Sequence, residues 1–345
     1  MKKILVTGAG GYIGSVLVPK LLEKGYAVVA LDRYFFGQDK LTPHANLQIV
    51  VEDSRKIPES LFEGVYGVID LVAISNDPSG ELFQDVTWEI NHQSRVRTAN
   101  LAKQAGCERY VLPSSCSIYG FLDEVASEST PTNPLTTYAK ANEQAEFGVL
   151  EQSSADFCVA VMRQATVFGA SPRMRFDLAV NGMTYGAYSN KVLPLMRDGK
   201  QYRPMLHVQD TTDVMCLLLE CDSGLVNGEI FNVGSAENNY QLGDLGQRVA
   251  RQVGELLNEE IKVEWYGDPD HRSYQVDFSK IERTLGWKAA WNAERGVKEI
   301  VAALQAGTLD KTPETITLDW YKQLVFWANK LRGMEIYGGL LELAD

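Results

Sequence analysis

The sequence lacks features that several classes of protein require. It has 5 cysteines and 4 histidines among 345 residues, with no CxxC pair and no cysteine–histidine cluster, so we expect reduced thiols and no metal site. No apolar run approaches the ~18 residues that span a membrane. The start, Met1-Lys2-Lys3, leads into a strand without the small-residue cleavage site of a signal peptide. These absences predict a cytoplasmic protein with no membrane span.

Positive charge is also scarce, because 33 lysines and arginines stand against 45 aspartates and glutamates, a net charge of −12. An acidic surface repels phosphate backbones, so nucleic acid is not expected as a partner, although a locally basic pocket can still take a small anion. The chain does have 45% hydrophobic and 10% aromatic residues. That composition excludes global disorder, and the length predicts one large or two medium domains.

Strand-like and helix-like segments alternate over the first half of the chain. The strand-like segments are mostly continuous apolar runs, as expected when helices cover both faces of a sheet. Alternation through short turns closed by glycine predicts an α/β protein with a doubly wound parallel sheet. The predicted strands are Lys2–Thr7, Ala27–Asp32, Leu47–Val51, Val65–Ala73 and Arg109–Ser115, with a sixth within Asp156–Phe168, and the main helices are Tyr12–Lys24, Thr87–Gly106 and Thr137–Glu151.

Three glycines, Gly8, Gly11 and Gly14, follow the first strand at intervals of three residues. Glycine lets the backbone turn tightly and approach a pyrophosphate, and the following helix start presents free N–H groups. Asp32, at the end of the second strand, follows 18 residues after Gly14. This context predicts a dinucleotide site, and the alternative is a turn that only connects two elements.

Asp32 is expected to accept hydrogen bonds from the adenosine ribose and to repel a 2′-phosphate, which favours NAD over NADP. Arg33 weakens this preference, because an arginine can pair with such a phosphate. Asp53, after the third strand, can accept from the adenine amino group, or it can be a turn residue at the strand end.

Further stretches of sequence, taken with the glycine turn, resemble one family. The chain is similar to the extended short-chain dehydrogenase/reductases, of the NAD-dependent nucleotide-sugar epimerase/dehydratase type. The stretches lie in order over about the first 300 residues: Asp70–Pro78 (DLVAISNDP), Ser114–Gly120 (SSCSIYG), Arg163–Asp177, Arg203–Asp210, Phe231–Gly234 and Arg272–Trp287.

The resemblance implies a Rossmann-type sheet with a smaller C-terminal substrate-binding lobe. The NAD-binding domain would comprise residues 1–170 and about 206–235, and the substrate lobe residues 171–205 and 236–307. The helical, aromatic tail, residues 308–345, is expected to pack on the body or on a partner subunit. The helices at about Thr87–Gly106 and Thr137–Glu151 would form a homodimer interface.

The resemblance also implies two sets of binding residues. NAD would contact Gly8, Gly11, Tyr12, Ile13, Gly14, Asp32, Arg33, Asp53, Ser54, Leu71, Val72, Ala73 and Asn91. The nucleotide-diphospho-sugar would contact Ser75, Asn76, Asp77, Ser117, Thr166, Arg173, Arg175, Asn181, Arg203 and Arg272. Arginine forks suit a diphosphate, but each of these arginines can equally be an ordinary surface residue.

Ser115 and Tyr138 match the family's catalytic serine and tyrosine, but the family's YxxxK lysine is replaced by Asn142. Position +4 on a helix lies on the face of the tyrosine, whereas Lys140, at +2, points away from it. Loss of a cation within ~4–6 Å would raise a tyrosine pKa by ~1–3 units, leaving ~10- to 1000-fold less tyrosinate at neutral pH.

Three interpretations of Asn142 follow: a slower enzyme with Tyr138 as base, chemistry that needs no tyrosinate, or an artificial change at this position. If the site is an impaired version of the family's, Asn142→Lys should raise activity or tighten NAD binding. A fall in both would show that Asn142 serves its own purpose.

Cys116 and Ser117 occupy the positions where the family's 4,6-dehydratases carry an Asp-Glu pair, so a dehydratase is disfavoured. Cys116 is either an acid or base near the sugar, as in some epimerases, or a small apolar filler behind the strand. The first hypothesis is therefore epimerisation of a nucleotide-diphospho-sugar through a keto intermediate. The alternatives are a related oxidation, reduction or decarboxylation, or an NAD-binding protein with little catalysis.

Overall fold

The structure, a computed structural model, describes residues 1–268 and 273–334. Within these ranges the strands are β1 (Lys3–Thr7), β2 (Ala27–Asp32), β3 (Leu47–Val51), β4 (Val65–Asp70), β5 (Arg109–Ser115), β6 (Phe121–Ala126), β7 (Cys158–Gln164), β8 (Thr166–Phe168), β9 (Val192–Met196), β10 (Tyr202–His207), β11 (Glu229–Val233), β12 (Asn239–Gln241), β13 (Lys262–Tyr266) and β14 (Ser273–Val276). Seven of them form one sheet in the order β11-β7-β5-β4-β1-β2-β3, and every neighbouring pair is parallel. The prediction of a doubly wound parallel sheet is confirmed.

Helices supply the connections that parallel strands need. The described α-helices are α1 (Gly14–Glu23), α2 (Asp77–Leu82), α3 (Gln84–Trp88), α4 (Arg95–Gln104), α5 (Thr137–Leu150), α6 (Ala179–Asn190), α7 (Val208–Glu220), α8 (Ser223–Val226), α9 (Leu242–Leu257), α10 (Ser279–Leu285), α11 (Ala293–Gln305) and α12 (Thr317–Met334). A π-helical turn, Glu89–Ser94, joins α3 to α4. None of the described helices combines the length and the apolar character that crossing a bilayer requires.

The two faces of the seven-stranded sheet carry separate hydrophobic clusters. One cluster joins Leu17 and Leu21 of α1 to Met215 and Leu218 of α7, and the other joins the sheet to α4 and α5. The central strand β1 is therefore buried on both faces, and Ile4, Leu5 and Val6 are all fully covered. Each such side chain stabilises the fold by about 1.5–3 kcal/mol. This explains why the strands are continuous apolar runs.

Two segments differ from the sequence prediction. The strand predicted within Asp156–Phe168 is present as β7, but the segment also holds a second strand, β8, which Ala165 separates from β7 and which belongs to a different sheet. The amide of Ala165 donates to Val233 O (2.9 Å), while β8 turns away to pair with β10. The helix expected from Thr87 begins earlier, at Gln84, and includes the π-helical turn.

The smaller lobe forms around α6, α9 and α11, which share a third hydrophobic cluster with β9. Its strands form short sheets, β13-β9 and β12-β10-β8. The lobe stands beside the edge of the main sheet where the parallel strands end, with Thr7, Asp32, Asp70 and Ser115 as their last residues. In an open parallel sheet, ligands bind at this carboxyl edge.

Candidate active site

Two glycines of the turn after β1, Gly8 and Gly14, leave no room for a side chain. A Cβ on Gly8, whose φ is +65°, would lie 2.8 Å from Leu71 C and Val72 N, and one on Gly14 would lie 2.4 Å from Gly8 O. Helix α1 then begins at Gly14 without a side-chain cap. Ser15 N and Val16 N donate to Gly11 O and Ile13 O, whereas the N–H groups of Ile13 and Gly14 have no backbone acceptor among the described residues. These two N–H groups are thus available to an anion at the end of the turn.

Asp32 joins this turn to the loop after β2. Its carboxylate accepts from Gly10 N (3.0 Å) and Tyr34 N (2.8 Å), and burial raises its pKa. Arg33 pairs with Asp53 at 2.8 Å and lies 5.0 Å from the Phe35 ring centre, so its guanidinium is already engaged. Asp53 also binds Arg55, and these arginines hold its pKa well below the usual range. The neighbouring Ser54 is buried against Ser94 (3.2 Å).

Residues 71–75, after β4, pass directly beside Gly8. Asn91, in the π-helical turn, holds this segment: its amide oxygen accepts from Ile74 N (2.8 Å) and its amide nitrogen donates to Ile74 O (3.0 Å). Arg95 Nε donates to Val72 O (3.0 Å). Asn91 therefore fixes the course of Leu71, Val72 and Ala73, which were predicted with it as coenzyme contacts.

Ser115 and Tyr138 meet at the carboxyl end of β5. Tyr138 lies in the first turn of α5, which Thr136 caps by accepting from Ala139 N (3.2 Å). Burial raises the pKa of Tyr138, and Asp77 raises it further. Arg95, a hydrogen bond with Ser115 and Arg175 act in the opposite direction. A hydroxyl pair of this kind, at the sheet edge that also carries the glycine turn, suits proton transfer to or from a substrate hydroxyl.

Asn142, one turn after Tyr138, is buried and bonded on both sides. Its amide nitrogen donates to Tyr138 O (2.9 Å), and its amide oxygen accepts from Arg95 Nη1 (2.8 Å). Lys140 is exposed, as the helical spacing predicts. Thus the position of the family lysine holds a neutral amide, and a guanidinium from α4 contacts that amide.

The structure removes Cys116 from the candidate catalytic residues. Its side chain is buried in the core, and its thiol donates to Arg163 O (3.1 Å). Burial raises the thiol pKa far above its ordinary value, so the thiol is a poor acid or base at neutral pH. Ser117 stays a candidate, because its buried hydroxyl has no partner among the described residues.

Two of the predicted substrate arginines, Arg173 and Arg175, lie in the loop after β8, which contacts Ser15 and Ser75. Arg175 binds Asp177 through both carboxylate oxygens (3.1 and 2.8 Å) and donates to Ser75 Oγ (3.1 Å). Burial and the charge of Arg175 lower the pKa of Arg173 to about 9, so Arg173 is still charged at neutral pH. Its buried Nε has no partner within the described part of the chain.

Asn181 and Tyr12 are buried in one hydrogen-bond network, so neither side chain faces an open site. The Asn181 amide donates to Tyr12 Oη (3.1 Å) and Arg175 O (2.9 Å) and accepts from Gly169 N (2.9 Å). Tyr12 donates to Gly169 O (2.7 Å). The predicted substrate contact of Asn181 is thus corrected: its side chain fixes the loop that carries Arg175.

The remaining predicted substrate residues fall into two groups, one next to Arg175 and one on β8 and β10. Asn76 caps α2 and donates to Asp177 (3.1 Å), while Asp77 accepts from Thr136 (2.6 Å). Thr166 and Arg203 lie on the paired strands β8 and β10, and the Arg203 guanidinium lies 5.1 Å from the Tyr274 ring centre. Arg272 lies outside the described residues.

The C-terminal helix α12 packs on the body, one of the two placements predicted for the tail. Its Trp320 indole donates to Phe35 O (2.6 Å), and the Tyr321 ring lies 5.7 Å from that of Phe36. Arg173 donates to Thr317 at the start of this helix (3.0 Å) and stacks on Phe36 (3.6 Å). Helix α12 therefore packs against the loop that follows β2 and against Arg173.

Sequence reasoning missed Arg95, Phe36 and Tyr321. The aromatic cluster of the tail was noted, but nothing in its spacing indicated where it packs. Arg95 had no signal at all, since one arginine in a polar helix resembles any solvated residue. Only its burial and its contact with Asn142 distinguish it.

Comparison with known proteins agrees with this geometry. The model of the "NAD dependent epimerase/dehydratase family" matches residues 4–234. A UDP-glucuronic acid decarboxylase 1 of Danio rerio is 24% identical over 87% of this chain and 72% of its own length. A dTDP-D-glucose 4,6-dehydratase of Mus musculus is 24% identical over 97% of this chain and 93% of its own. A UDP-glucuronic acid 4-epimerase of Bacillus cereus, solved with UDP-glucuronic acid and NAD, superposes with a TM-score of 0.78 at 22% identity, covering 88% of this chain and 99% of that one.

The chain therefore belongs to the NAD dependent epimerase/dehydratase family, and the resemblance to extended short-chain dehydrogenase/reductases is confirmed. It is an NAD-dependent enzyme of the nucleotide-sugar epimerase, dehydratase and decarboxylase group. The residues fit the coenzyme: Gly8 and Gly14 exclude a Cβ, and the buried Nε of Arg173 has no partner among the described residues. Asp32, the turn and Arg173 are the groups that would hold NAD.

Proposed function

We propose that the protein epimerises a nucleotide-diphospho-sugar through a transient keto intermediate. One observation carries the proposal. The Ser115–Tyr138 pair lies at the carboxyl edge of the sheet, the edge that also carries the glycine turn, while the two positions after Ser115 hold Cys116 and Ser117 instead of carboxylates. The site thus has a base for oxidation at a sugar hydroxyl but lacks the acid–base pair that water elimination needs.

The chain's own residues divide the work between binding and proton transfer. Asp32 would bind the adenosine ribose, and the start of α1 with Arg173 would bind the coenzyme diphosphate. When bound, NAD supplies a hydride acceptor that can also return the hydride. Tyr138, as the tyrosinate, takes the proton of the sugar hydroxyl, and Ser115 hydrogen-bonds both oxygens.

Epimerisation needs no further catalytic group. Tyr138 removes the hydroxyl proton during oxidation and returns the same proton during reduction, so the base regenerates itself within one cycle. The stereochemical change follows when the keto sugar presents its other face before reduction. A single hydroxyl base, which is what this site offers, therefore suffices.

Decarboxylation is the second candidate, and the similarity to a UDP-glucuronic acid decarboxylase favours it. The same oxidation at the sugar 4-position places a ketone β to a 6-carboxylate. Such a β-keto acid loses CO2 without an additional acid–base pair. The two candidates thus share Tyr138 and differ in what the keto sugar does next.

A homodimer through α3, α4 and α5 is also part of the proposal. Val86 on α3 and Phe147 on α5 are 37% and 52% exposed, and such side chains are favoured at an interface. Light scattering at micromolar protein concentration should give twice the chain mass. A monomer under these conditions would remove this part of the proposal.

Product analysis on a panel of sugar nucleotides tests the function. The purified protein is incubated with UDP-glucuronic acid, UDP-glucose, UDP-N-acetylglucosamine and dTDP-glucose, and the products are separated and weighed by mass spectrometry. An epimer has unchanged mass but a different NMR spectrum, whereas decarboxylation and dehydration remove CO2 and water. Tyr138→Phe, which keeps the ring, should lose at least ~100-fold in rate. Turnover that is unaffected in Tyr138→Phe, or products of altered mass only, would contradict epimerisation.

A further inference from the structure

Tyr138 is placed where ionisation is unfavourable. Burial and the carboxylate of Asp77 both raise its pKa. Asn142, which contacts the Tyr138 backbone, carries no charge, and Lys140 is exposed. If Tyr138 is the base of the proposed reaction, a cation must come from elsewhere in the fold.

Arg95 is a buried cation one helix away. Only 2% of the residue is exposed, and its guanidinium donates to Asn142 Oδ1 (2.8 Å), Val72 O (3.0 Å) and Pro113 O (3.4 Å). These acceptors are all neutral. Within residues 1–268 and 273–334 no carboxylate forms an ion pair with Arg95. A guanidinium keeps its proton even when buried, so the charge stays in the core.

We propose that Arg95 supplies the positive charge that a lysine at position 142 would otherwise give to Tyr138, and that Asn142 holds the guanidinium in place. The inference rests on the proposed role of Tyr138 as base. Arg95 is in this sense a positioning residue, because it acts on the substrate only through Tyr138. Asn142 connects the two, since its amide bonds Arg95 on one side and Tyr138 O on the other.

The other charges around Tyr138 leave this task to Arg95. The ionisable groups that act on Tyr138 are Arg95, Asp77 and Arg175, and Ser115 adds a hydrogen bond. Arg175 is neutralised by its two-point pair with Asp177. Arg95 has no ion-pair partner in the described part of the chain, so no adjacent carboxylate cancels its charge, and electrostatic interactions are stronger away from water. A Tyr138 tyrosinate would be the missing counterion.

The inference predicts that a cation at position 142 can replace the cation at position 95. Asn142→Lys alone would press an ammonium against the guanidinium, so it should lower the thermal unfolding temperature and not improve the enzyme. Arg95→Met alone leaves Tyr138 without a nearby unpaired cation. The double variant Arg95→Met/Asn142→Lys restores one cation on the other helix and should behave like the native chain.

The pKa of Tyr138 is the decisive quantity. The full chain is labelled with ¹³Cζ-tyrosine, the Tyr138 resonance is assigned with Tyr138→Phe, and the pH titration is followed by NMR with and without NAD. Arg95→Met should raise the Tyr138 pKa by about 1–3 units, and the double variant should return it toward the native value. Lys140→Met, which removes an exposed lysine of the same helix, should leave it unchanged.

A Tyr138 pKa that does not rise in a folded Arg95→Met variant would overturn the inference. If Arg95→Met does not fold, the double variant decides: a folded double variant whose Tyr138 titrates well above the native chain overturns the exchange. The titration needs no sugar substrate. A negative product panel with an Arg95-dependent Tyr138 pKa therefore refutes the proposed function alone.

Discussion

Two arginines are buried against the same face of α5, and their surroundings differ in one respect. Arg163 donates from Nε and Nη2 to the carboxylate of Glu146 (3.0 and 2.7 Å). Arg95 donates to the amide of Asn142. Asn142 lies four residues before Glu146 on α5, a separation of one helical turn. One buried guanidinium is thus neutralised and the other is not.

This difference separates a structural charge from a functional one. The Arg163–Glu146 pair, with Tyr119 and Ser114 bonded to it, satisfies a core network and leaves little field outside it. A buried charge without a counterion lowers the stability of the fold, so the charge of Arg95 indicates a functional role. The turn of α5 that meets Arg95 is the one next to Tyr138, where a cation favours the tyrosinate.

Removing the carboxylate from the Arg163–Glu146 pair should have the largest effect, a loss of stability. Glu146→Gln leaves Arg163 buried without a counterion and should lower the free energy of unfolding by about 3–5 kcal/mol. Urea unfolding measures this, with the exposed Glu151→Gln of the same helix end as control. If Glu146→Gln is as stable as the control, the two arginine sites do not differ as described.

Placing a carboxylate beside Arg95 should make it a neutralised arginine like Arg163. Asn142→Asp would neutralise Arg95, so the Tyr138 pKa should rise by about 1–3 units and hydride transfer at neutral pH should slow ~10- to 1000-fold. Stability should fall less than in Glu146→Gln, because the new charge is paired. Tyrosine NMR and urea unfolding report the two effects, and an unchanged Tyr138 pKa would break the comparison.

A third buried arginine extends the comparison to the coenzyme. Within the residues that the structure describes, Arg173 Nε has no partner, and Arg175 is a charged neighbour, so a diphosphate should complete the site. Arg173→Met should raise the dissociation constant of NAD about 10- to 150-fold, the equivalent of ~1.5–3 kcal/mol for hydrogen bonds to a charged group. Calorimetric titration measures it, with surface Arg248→Met as control. Unchanged affinity would place Arg173 outside the coenzyme site.

The strands of the main sheet were predictable because continuous apolar runs indicate burial on both faces. Ala27–Asp32, Leu47–Val51 and Arg109–Ser115 begin and end at the predicted residues, since apolar runs bounded by polar or glycine residues mark buried parallel strands. The break at Ala165 was not predictable. It depends on which strand Thr166–Phe168 pairs with, and this is a tertiary choice.

The candidate site was predictable where backbone geometry dictates a residue type. Gly8 and Gly14 have no space for a Cβ, and Asp32 lies at a strand end beside them. Residues such as Asn181 and Cys116 were placed by motif position alone, and the structure buries both in the interior. Arg95 could not be found from sequence, because its role depends on a contact between residues 47 positions apart.

The most direct test of the account is a crystal structure of the full chain soaked with NAD. We expect the adenosine ribose on Asp32, the diphosphate at the start of α1 within reach of Arg173, and the nicotinamide ring beside the hydroxyl of Tyr138. A glycine turn without bound coenzyme, or a nicotinamide ring remote from Tyr138, would contradict the account.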